Sequence, residues 1–320
     1  MGIGTNIGWT DHTWNPWQGC TQVSTGCDNC YMAREKRHYG QNPWVVVKSS
    51  VATFNLPLSK RVKAGDKVFV CSWSDFCHAA ADPLRAAAWQ VMRQRPDVIF
   101  QICTKRPERL AHCLPADWGS RGWPNVWLGV TGEDQPNYER RVQFLLSTPA
   151  AVRFVSIEPM LGAVDASRVL LKYPYGAMVF GKLPARPHLN PLTGYIDNGL
   201  PTRIDWVIVG GETGGTMARP MHPLWVSRVR DQCQEAGVAF YFKQWGEWLP
   251  AGQGMVGLPN DRGIYLAEDG QIVLAASDPH GGCYPPDGLP VGQLSVLCSR
   301  VGHKASGSRL DGRQWHEFPK

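Results

Sequence analysis

Cys20, Cys27 and Cys30 fall within eleven residues, in GCTQVSTGCDNCYMAREKRH, and a basic, tyrosine-led run follows them at once. Three thiolates this close in sequence are able to grip a single metal centre. A structural zinc ion wants four ligands in a closed tetrahedron, so zinc would need a fourth donor from elsewhere in the chain. His12, His38, Cys71, Cys77 and His78 are conceivable donors, but none has a C-x2-C or H-x3-H partner. A [4Fe-4S] cluster is held by cysteine thiolates, and a cluster held by only three keeps one iron open to a small-molecule ligand. A disulfide fits least: three is an odd number, and the N-terminus MGIGTNIGWTDHTW has neither the basic nor the apolar region of a secretory leader. The chemistry favours a cluster and leaves zinc open.

A second set of chemically useful side chains recurs at regular spacing. Short β-branched or aromatic runs each end in polar residues: KVFVCSWSD at Ser74 and Asp75, DVIFQICTKR at Thr104, Lys105 and Arg106, NVWLGVTGE at Thr131 and Glu133. The series continues with AVRFVSIEP at Glu158, DWVIVGGE at Gly210, Gly211 and Glu212, and VAFYFKQ at Lys243 and Gln244. The steps from Asp75 to Thr104, Thr131 and Glu158 are 29, 27 and 27 residues, close to the ~30 residues of one βα unit. Near-continuous apolar runs suit strands covered on both faces, as in a parallel sheet.

Helical patterns fill the gaps. DPLRAAAWQVMRQR opens on Asp82 as cap and Pro83, and turns Leu84, Ala88, Val91 and Met92 to one side. Asp134 can cap a helix that faces Tyr138, Val142, Leu145 and Leu146 inward. HPLWVSRVRDQCQEAG aligns Trp225, Val229 and Cys233 and stops at Gly237. Successive right-handed units of this kind close, wholly or in part, into a TIM-like (β/α) barrel, here over residues 1–250. In such barrels the site lies at the C-terminal ends of the strands. The polar tips would gather there, together with the cysteine loop, which follows a first strand around Ile7 to Trp14 and precedes the helix YMAREKRHYG.

In that frame Asp75, Glu133, Glu158 and Glu212 could take a ligand ammonium or ribose hydroxyls, with Ser74, Thr131, Gly210 and Gly211 lining the same cofactor pocket. Lys105, Arg106, Lys243 and Gln244 could receive a substrate carboxylate or phosphate. For any one of the acids a place on a surface loop is the alternative, and for Lys105, Arg106 and Lys243 salt bridges to the neighbouring acids are an equal reading. GGETGG lacks the GK[ST] ending of a phosphate loop, so its glycines more simply admit a close backbone approach. Cys77 beside His78 is a candidate reactive thiol, while Cys71, Cys103, Cys113, Cys233, Cys283 and Cys298 read as buried apolar side chains. Arg34, Lys36, Arg37 and His38 either touch a nucleic-acid backbone or form a solvated helix face.

The rest of the 320-residue chain sets bounds. Apolar residues make up 43 % and charged residues 19 %, and no stretch approaches the ~20 apolar residues of a membrane span. A cytoplasmic protein without membrane contact is expected. The net charge of +6 tolerates a phosphate-bearing partner. Fourteen tryptophans, with Trp9, Trp14, Trp17, Trp44 and Trp73 near the cysteines, read as core aromatics first and stacking surfaces second. The βα rhythm breaks at a Pro/Gly-rich insertion, residues 172–203, that bears a hairpin or conceals a strand at Ala177–Phe180. Residues 251–320 read as an irregular β-containing extension, with a hairpin turning at Asp269-Gly270 and a Gly/Pro-rich tail. In that tail Arg300, Lys304, Arg309 and Arg313 could contact an anion, though a solvated tail packed on the barrel is the simpler account.

The blocks IGWTDHTWNPWQGC, TGCDNCY, SWSDFCH, FQICTKRPERL, NVWLGVTGED, RFVSIEPMLG, DWVIVGGETGG, ARPMHP, FYFKQWGEW and GSRLDGRQWHEFP occur in this order. Together they resemble the phage-type three-Cys-motif proteins, a family of uncharacterised activity related to radical S-adenosylmethionine (SAM) enzymes. The resemblance spans nearly the whole chain apart from the insertion and much of residues 251–298. It implies a complete or partial TIM-like barrel with a [4Fe-4S] cluster on Cys20, Cys27 and Cys30, SAM as second cofactor, an electron-donor protein as partner and a host-cell cytoplasmic setting. A nucleotide or nucleic acid is the substrate class it suggests; a non-enzymatic zinc or iron-sulfur module that docks nucleic acid or a partner is the alternative. Two departures stand out: the first cysteine gap is x6 where the radical SAM loop has x3, and the place of its Gly-Gly-Glu element after the second strand reads Ser72-Trp73-Ser74-Asp75.

Overall fold

Seven parallel strands form the central sheet: β1 (His12–Trp14), β2 (Lys67–Val70), β3 (Ile99–Thr104), β4 (Val126–Thr131), β5 (Val152–Ile157), β6 (Trp206–Gly210) and β7 (Ala239–Gln244). They lie side by side in chain order, as a series of right-handed βα units requires. The computed structural model describes residues 3–170, 188–197, 200–254, 263–274, 276–277, 283–284 and 294–320. The expected strand at Ala177–Phe180 lies outside these residues. Around the sheet run α1 (Tyr31–His38), α2 (Asp82–Arg93), α3 (Gln135–Leu146) and α4 (Pro223–Ala236).

The apolar spacing of the helices is realised as read. Ala88, Val91 and Met92 of α2, Tyr138, Val142, Leu145 and Leu146 of α3, and Trp225, Val229 and Cys233 of α4 are buried against the sheet. Asp134 caps α3 by accepting the Asn137 amide at 2.8 Å, and Gly237 ends α4 in the left-handed conformation at φ 64°. Asp82 differs from expectation. It is the first helical residue instead of the cap, and its carboxylate holds Arg85 and Arg109. The first strand is also shorter than Ile7–Trp14, because residues before His12 turn inward to fill the sheet's concave face.

That filling reveals the curvature. Trp9, just ahead of β1, packs its ring 4.8 Å from Phe69, 6.4 Å from Phe154 on β5 and 6.1 Å from Trp206 on β6. In a flat sheet β1 and β6 would stand about 24 Å apart. The sheet is therefore rolled around Trp9 into an open half-barrel, and the described residues show no pairing between β1 and β7. Instead the C-terminal tail lines the free edge of β7: the Phe242 amide donates to the Trp315 carbonyl, His316 bridges Tyr241, and the Glu317 amide donates to the Phe240 carbonyl. Phe318 then packs on Trp206 at 5.2 Å and lies under the Lys67 ammonium at 5.1 Å, spanning the open side at its base. The tail expected to pack on the barrel does so in these residues, as a structural strap.

Further antiparallel pairs lie beyond the sheet among the described residues. Tyr195–Asp197 pairs with Leu200–Thr202, and Gly263–Ala267 pairs with Ile272–Leu274 around Gly270, whose φ is 92°. No helix among the described residues is long and apolar enough to cross a membrane.

Packing inside the roll leaves no slack at Gly129, which faces Phe154 across the β4–β5 ladder. A methyl group there would overlap the Phe154 ring, and that ring is fully buried beside Trp9 and Trp206. Gly129→Ala should cost about 1–3 kcal/mol, read as a lower unfolding midpoint in urea. The double variant Gly129→Ala, Phe154→Leu should recover part of it.

Candidate functional site

The polar strand tips do converge at one end of the half-barrel, and the cysteine loop, residues 19–30, lies across them. Each strand-end carboxylate already holds a cation. Arg106 donates to Asp75 at 3.1 Å, Arg141 to Glu133 at 2.5 Å and Arg219 to Glu212 at 2.5 Å; the Lys243 ammonium stands 2.9 Å from Glu158. The salt-bridge reading is thus realised for Arg106 and Lys243 but, among the described residues, not for Lys105, and Asp75, Glu133 and Glu212 are buried and not surface-loop acids.

Three of the four pairs also grip the cysteine loop. Arg106 reaches past Asp75 to donate to the carbonyl and hydroxyl of Thr21, both at 2.8 Å, and places Nη1 3.4 Å from the Cys20 sulfur. Asp75 itself is fixed by the Thr104 hydroxyl at 2.7 Å and by the backbone amides of Cys77 and Lys105. Ser24 donates its hydroxyl to Glu133, and Gly26 lies so close that a Cβ would come within 2.9 Å of that carboxylate. Asn29 donates to Glu212 at 3.0 Å, while Arg219 reaches the Thr25 carbonyl at 2.9 Å and Asp28 at 3.6 Å. A loop with a single three-residue turn of 3-10 helix is thereby held at both ends and in the middle.

Local structure sets the three cysteines apart. Cys20 follows Gly19, which packs so tightly beneath Val45 that no side chain fits and whose φ of 98° suits glycine. Cys27 closes the 3-10 turn, and Cys30 is the residue at which α1 begins. All three are free and half-buried. Cys20 and Cys27 stand near enough to feel each other's charge; burial, then Asp75, push the Cys20 thiol up to about 11, with Arg106 opposing. Among the described residues no group of three or more His, Cys, Asp or Glu side chains is gathered around a metal-sized space.

Beneath the loop, the inward side chains of the sheet form a small polar floor. Lys105 stands 3.4 Å from the Thr131 hydroxyl, which is 3.6 Å from Cys103. Ser156 donates to Glu158 at 3.2 Å. Tyr31, directly after Cys30, is 40 % exposed as a residue, yet its hydroxyl turns inward to donate to the Ser72 carbonyl; enclosure of that hydroxyl first, and the nearby Cys30 and Glu158 after it, raise its pKa. Ser74 donates to the Gly19 carbonyl at 2.6 Å and so also serves the loop. Gly210 and Gly211 admit Glu158 and the Trp245 carbonyl respectively, so the close approach they allow is to the protein itself. Gln244 donates to the Gly211 carbonyl at 3.0 Å. Cys77 is enclosed, its thiol pushed up chiefly by a hydrogen bond with Cys113 and then by burial. Trp9, Trp14 and Trp17 are core residues, whereas Trp44 and Trp73 are half-buried.

A family model matches residues 4–319. The chain belongs to the family described as protein of unknown function (DUF5131). No curated protein and no solved structure matches it. The family thus covers the whole half-barrel, the loop and the strap alike.

Thr21, Ser24, Asn29, Arg141 and Arg219 were not identifiable as site residues from the sequence. Arg141 and Arg219 lie eight and seven residues beyond the acids they serve, a separation that carries no motif.

The clamps respond to pH in a defined direction. Burial alone would raise Glu133, but Lys105 and Arg141, with hydrogen bonds from Ser24 and Arg141, hold it below its ordinary 4.5. Burial likewise opposes, and hydrogen bonds from Arg219 and Asn29 outweigh it, to depress Glu212. Groups depressed in the folded state lend stability that is fully present above the ordinary value and is lost as pH falls toward the folded one. Amide protection of residues 21–29 in hydrogen exchange should therefore hold at neutral pH and decline below about pH 4.5. Glu133→Gln leaves the Arg141 guanidinium buried without a counter-charge and should cost about 3–5 kcal/mol, with faster exchange in the loop already at pH 7.

Proposed function

We propose that this protein is a radical SAM-type enzyme that carries a [4Fe-4S] cluster on Cys20, Cys27 and Cys30. The observation that supports this is the placement of three free, half-buried cysteines on a loop pinned across the C-terminal mouth of a parallel β/α half-barrel. In kind the donors suit the group, three thiols on an irregular segment whose backbone is fixed from the strand ends, although the three are not gathered around one centre here. When bound, such a cluster supplies the electron that cleaves SAM and yields a hydrogen-abstracting radical.

The chain's own residues have separable tasks in this reading. Arg106 keeps a positive charge beside Cys20 and ties Thr21 down, Glu133 holds Ser24, and Glu212 with Arg219 holds Thr25 and Asn29. Glu158 and Lys243 are not used by the loop. Their opposite charges, side by side and partly exposed at 13 % and 28 %, suit the ammonium and carboxylate of an amino-acid head such as that of SAM. Lys105 and Thr131 would meet a phosphate or carboxylate of the substrate, for which a nucleotide or nucleic acid is the proposed class. Tyr31 covers the floor from the loop side and limits water entry.

One observation favours the alternative, a non-enzymatic zinc or iron-sulfur docking module: no strand-end carboxylate is free of an internal cation. Anaerobic purification separates the two. The enzyme should be brown with about four irons per chain and should release 5′-deoxyadenosine from SAM under a strong reductant. Cys27→Ala should abolish both colour and product. Colourless protein that carries one zinc and leaves SAM intact would overturn the enzyme reading.

A further inference from the structure

The chain's whole net charge resides in thirty residues directly after the cysteine loop. Residues 34–63 hold seven Lys or Arg and one acid, Glu35, a net of +6, which is the formal charge of the entire protein; the remaining 290 residues carry 26 of each sign and balance. From residue 36 to residue 65 there is no carboxylate at all.

The fold turns this stretch into a band down the side of the half-barrel. Arg34 lies at the mouth, its guanidinium beside Gly214 of the loop that follows Glu212. One turn along α1, Arg37 stacks over Trp44 at 5.2 Å. Trp44 leads into Val47–Lys48, which pairs with Trp17–Gln18, and Lys48 lies over Phe54 at 5.2 Å. Lys60, Arg61 and Lys63 follow, and the Lys63 amide donates to Asp66 just ahead of β2, at the end of the sheet opposite the mouth. Arg34, Arg37, Lys48, Lys60, Arg61 and Lys63 are all exposed, and none has a salt-bridging carboxylate among the described residues. Lys36 is the exception; it is buried, and burial lowers its pKa. Between the cations stand exposed Tyr39 at 64 %, Val45 at 51 % and Val51 at 75 %.

Six unpaired like charges on one face repel each other, in a molecule that pairs its other buried and half-buried cations so thoroughly at the mouth. Such a field attracts a polyanion. Aromatic side chains between the cations add stacking faces for bases, and a base can enter a mouth for chemistry only once it is unstacked. We infer that this band binds single-stranded nucleic acid by its phosphodiester backbone, with Tyr39 stacking a base, and leads it to the mouth beside Cys30. This deepens the substrate side of the function proposed above and rests on that reading for its destination, while binding itself needs no cluster.

Fluorescence anisotropy with a labelled oligodeoxythymidylate about 12 nucleotides long tests it, on cluster-free and cluster-loaded protein alike. Binding should weaken with salt, and the quadruple variant Arg37→Glu, Lys48→Glu, Lys60→Glu, Arg61→Glu should bind at least ~100-fold more weakly with a shallower salt dependence. Tyr39→Ala should bind about tenfold more weakly without a change in salt dependence. Reversal of the exposed Arg121, Arg140 and Lys304, which lie outside the band, should leave affinity within about twofold. Absence of salt-dependent binding, equal affinity in the quadruple variant, or preferential binding to phosphatidylserine vesicles over the oligonucleotide would each overturn the proposal. SAM cleavage without oligonucleotide binding would refute this inference alone; oligonucleotide binding by a protein that takes up no iron and leaves SAM intact would refute only the enzyme reading.

Discussion

Charge pairing at the strand ends is the constraint on which the rest of the mouth depends. A parallel sheet delivers its last residues to one face, and here those residues are carboxylates whose enclosure makes an unpaired charge costly. Each has recruited an arginine or lysine. A buried ion pair of this kind adds little net stability over an apolar pair, yet removing one partner is expensive. Its value lies in geometry: Arg106 and Arg219 have donors left over after the carboxylate is satisfied, and these reach the Thr21 and Thr25 carbonyls of the cysteine loop.

This explains how a segment with almost no regular structure keeps a fixed course. Thr21, Ser24, and Thr25 together with Asn29 are held from three different strand ends, so the loop is tied to β2–β3, β4 and β6 at once. The cysteines ride on that framework. Arg106 joins the two functions in a single side chain, bonded to Asp75, Thr21 and the Cys20 sulfur. At the opposite end Trp9 performs the matching task for the sheet: one indole sets the curvature by touching strands from both halves.

The half-barrel also shows what stands at its free edge in place of a further βα unit. Beside β7 the chain supplies a short antiparallel strap, Trp315 to Phe318, which satisfies the edge backbone groups and covers Trp206 and Tyr241. An unpaired edge is a liability for any sheet. The strap removes it for this part of β7 without closing the roll.

Much of this was legible in the sequence for a simple reason: strands covered on both faces must be apolar throughout, and helices must be apolar on one side, so the parallel βα order, the caps at Asp134 and Gly237 and the gathering of polar tips at one end follow from local pattern. The cysteine spacing likewise limits the chemistry before any coordinates are known. What only the tertiary structure decided is the partnership of those tips. Whether Glu133 meets a ligand or Arg141, and whether Gly211 admits a cofactor or the Trp245 carbonyl, depends on side chains that the curvature of the sheet brings within 3 Å or so from distant parts of the chain. Local pattern carries no record of that distance, because an arginine eight residues along a helix and an arginine in solvent are written with the same letter.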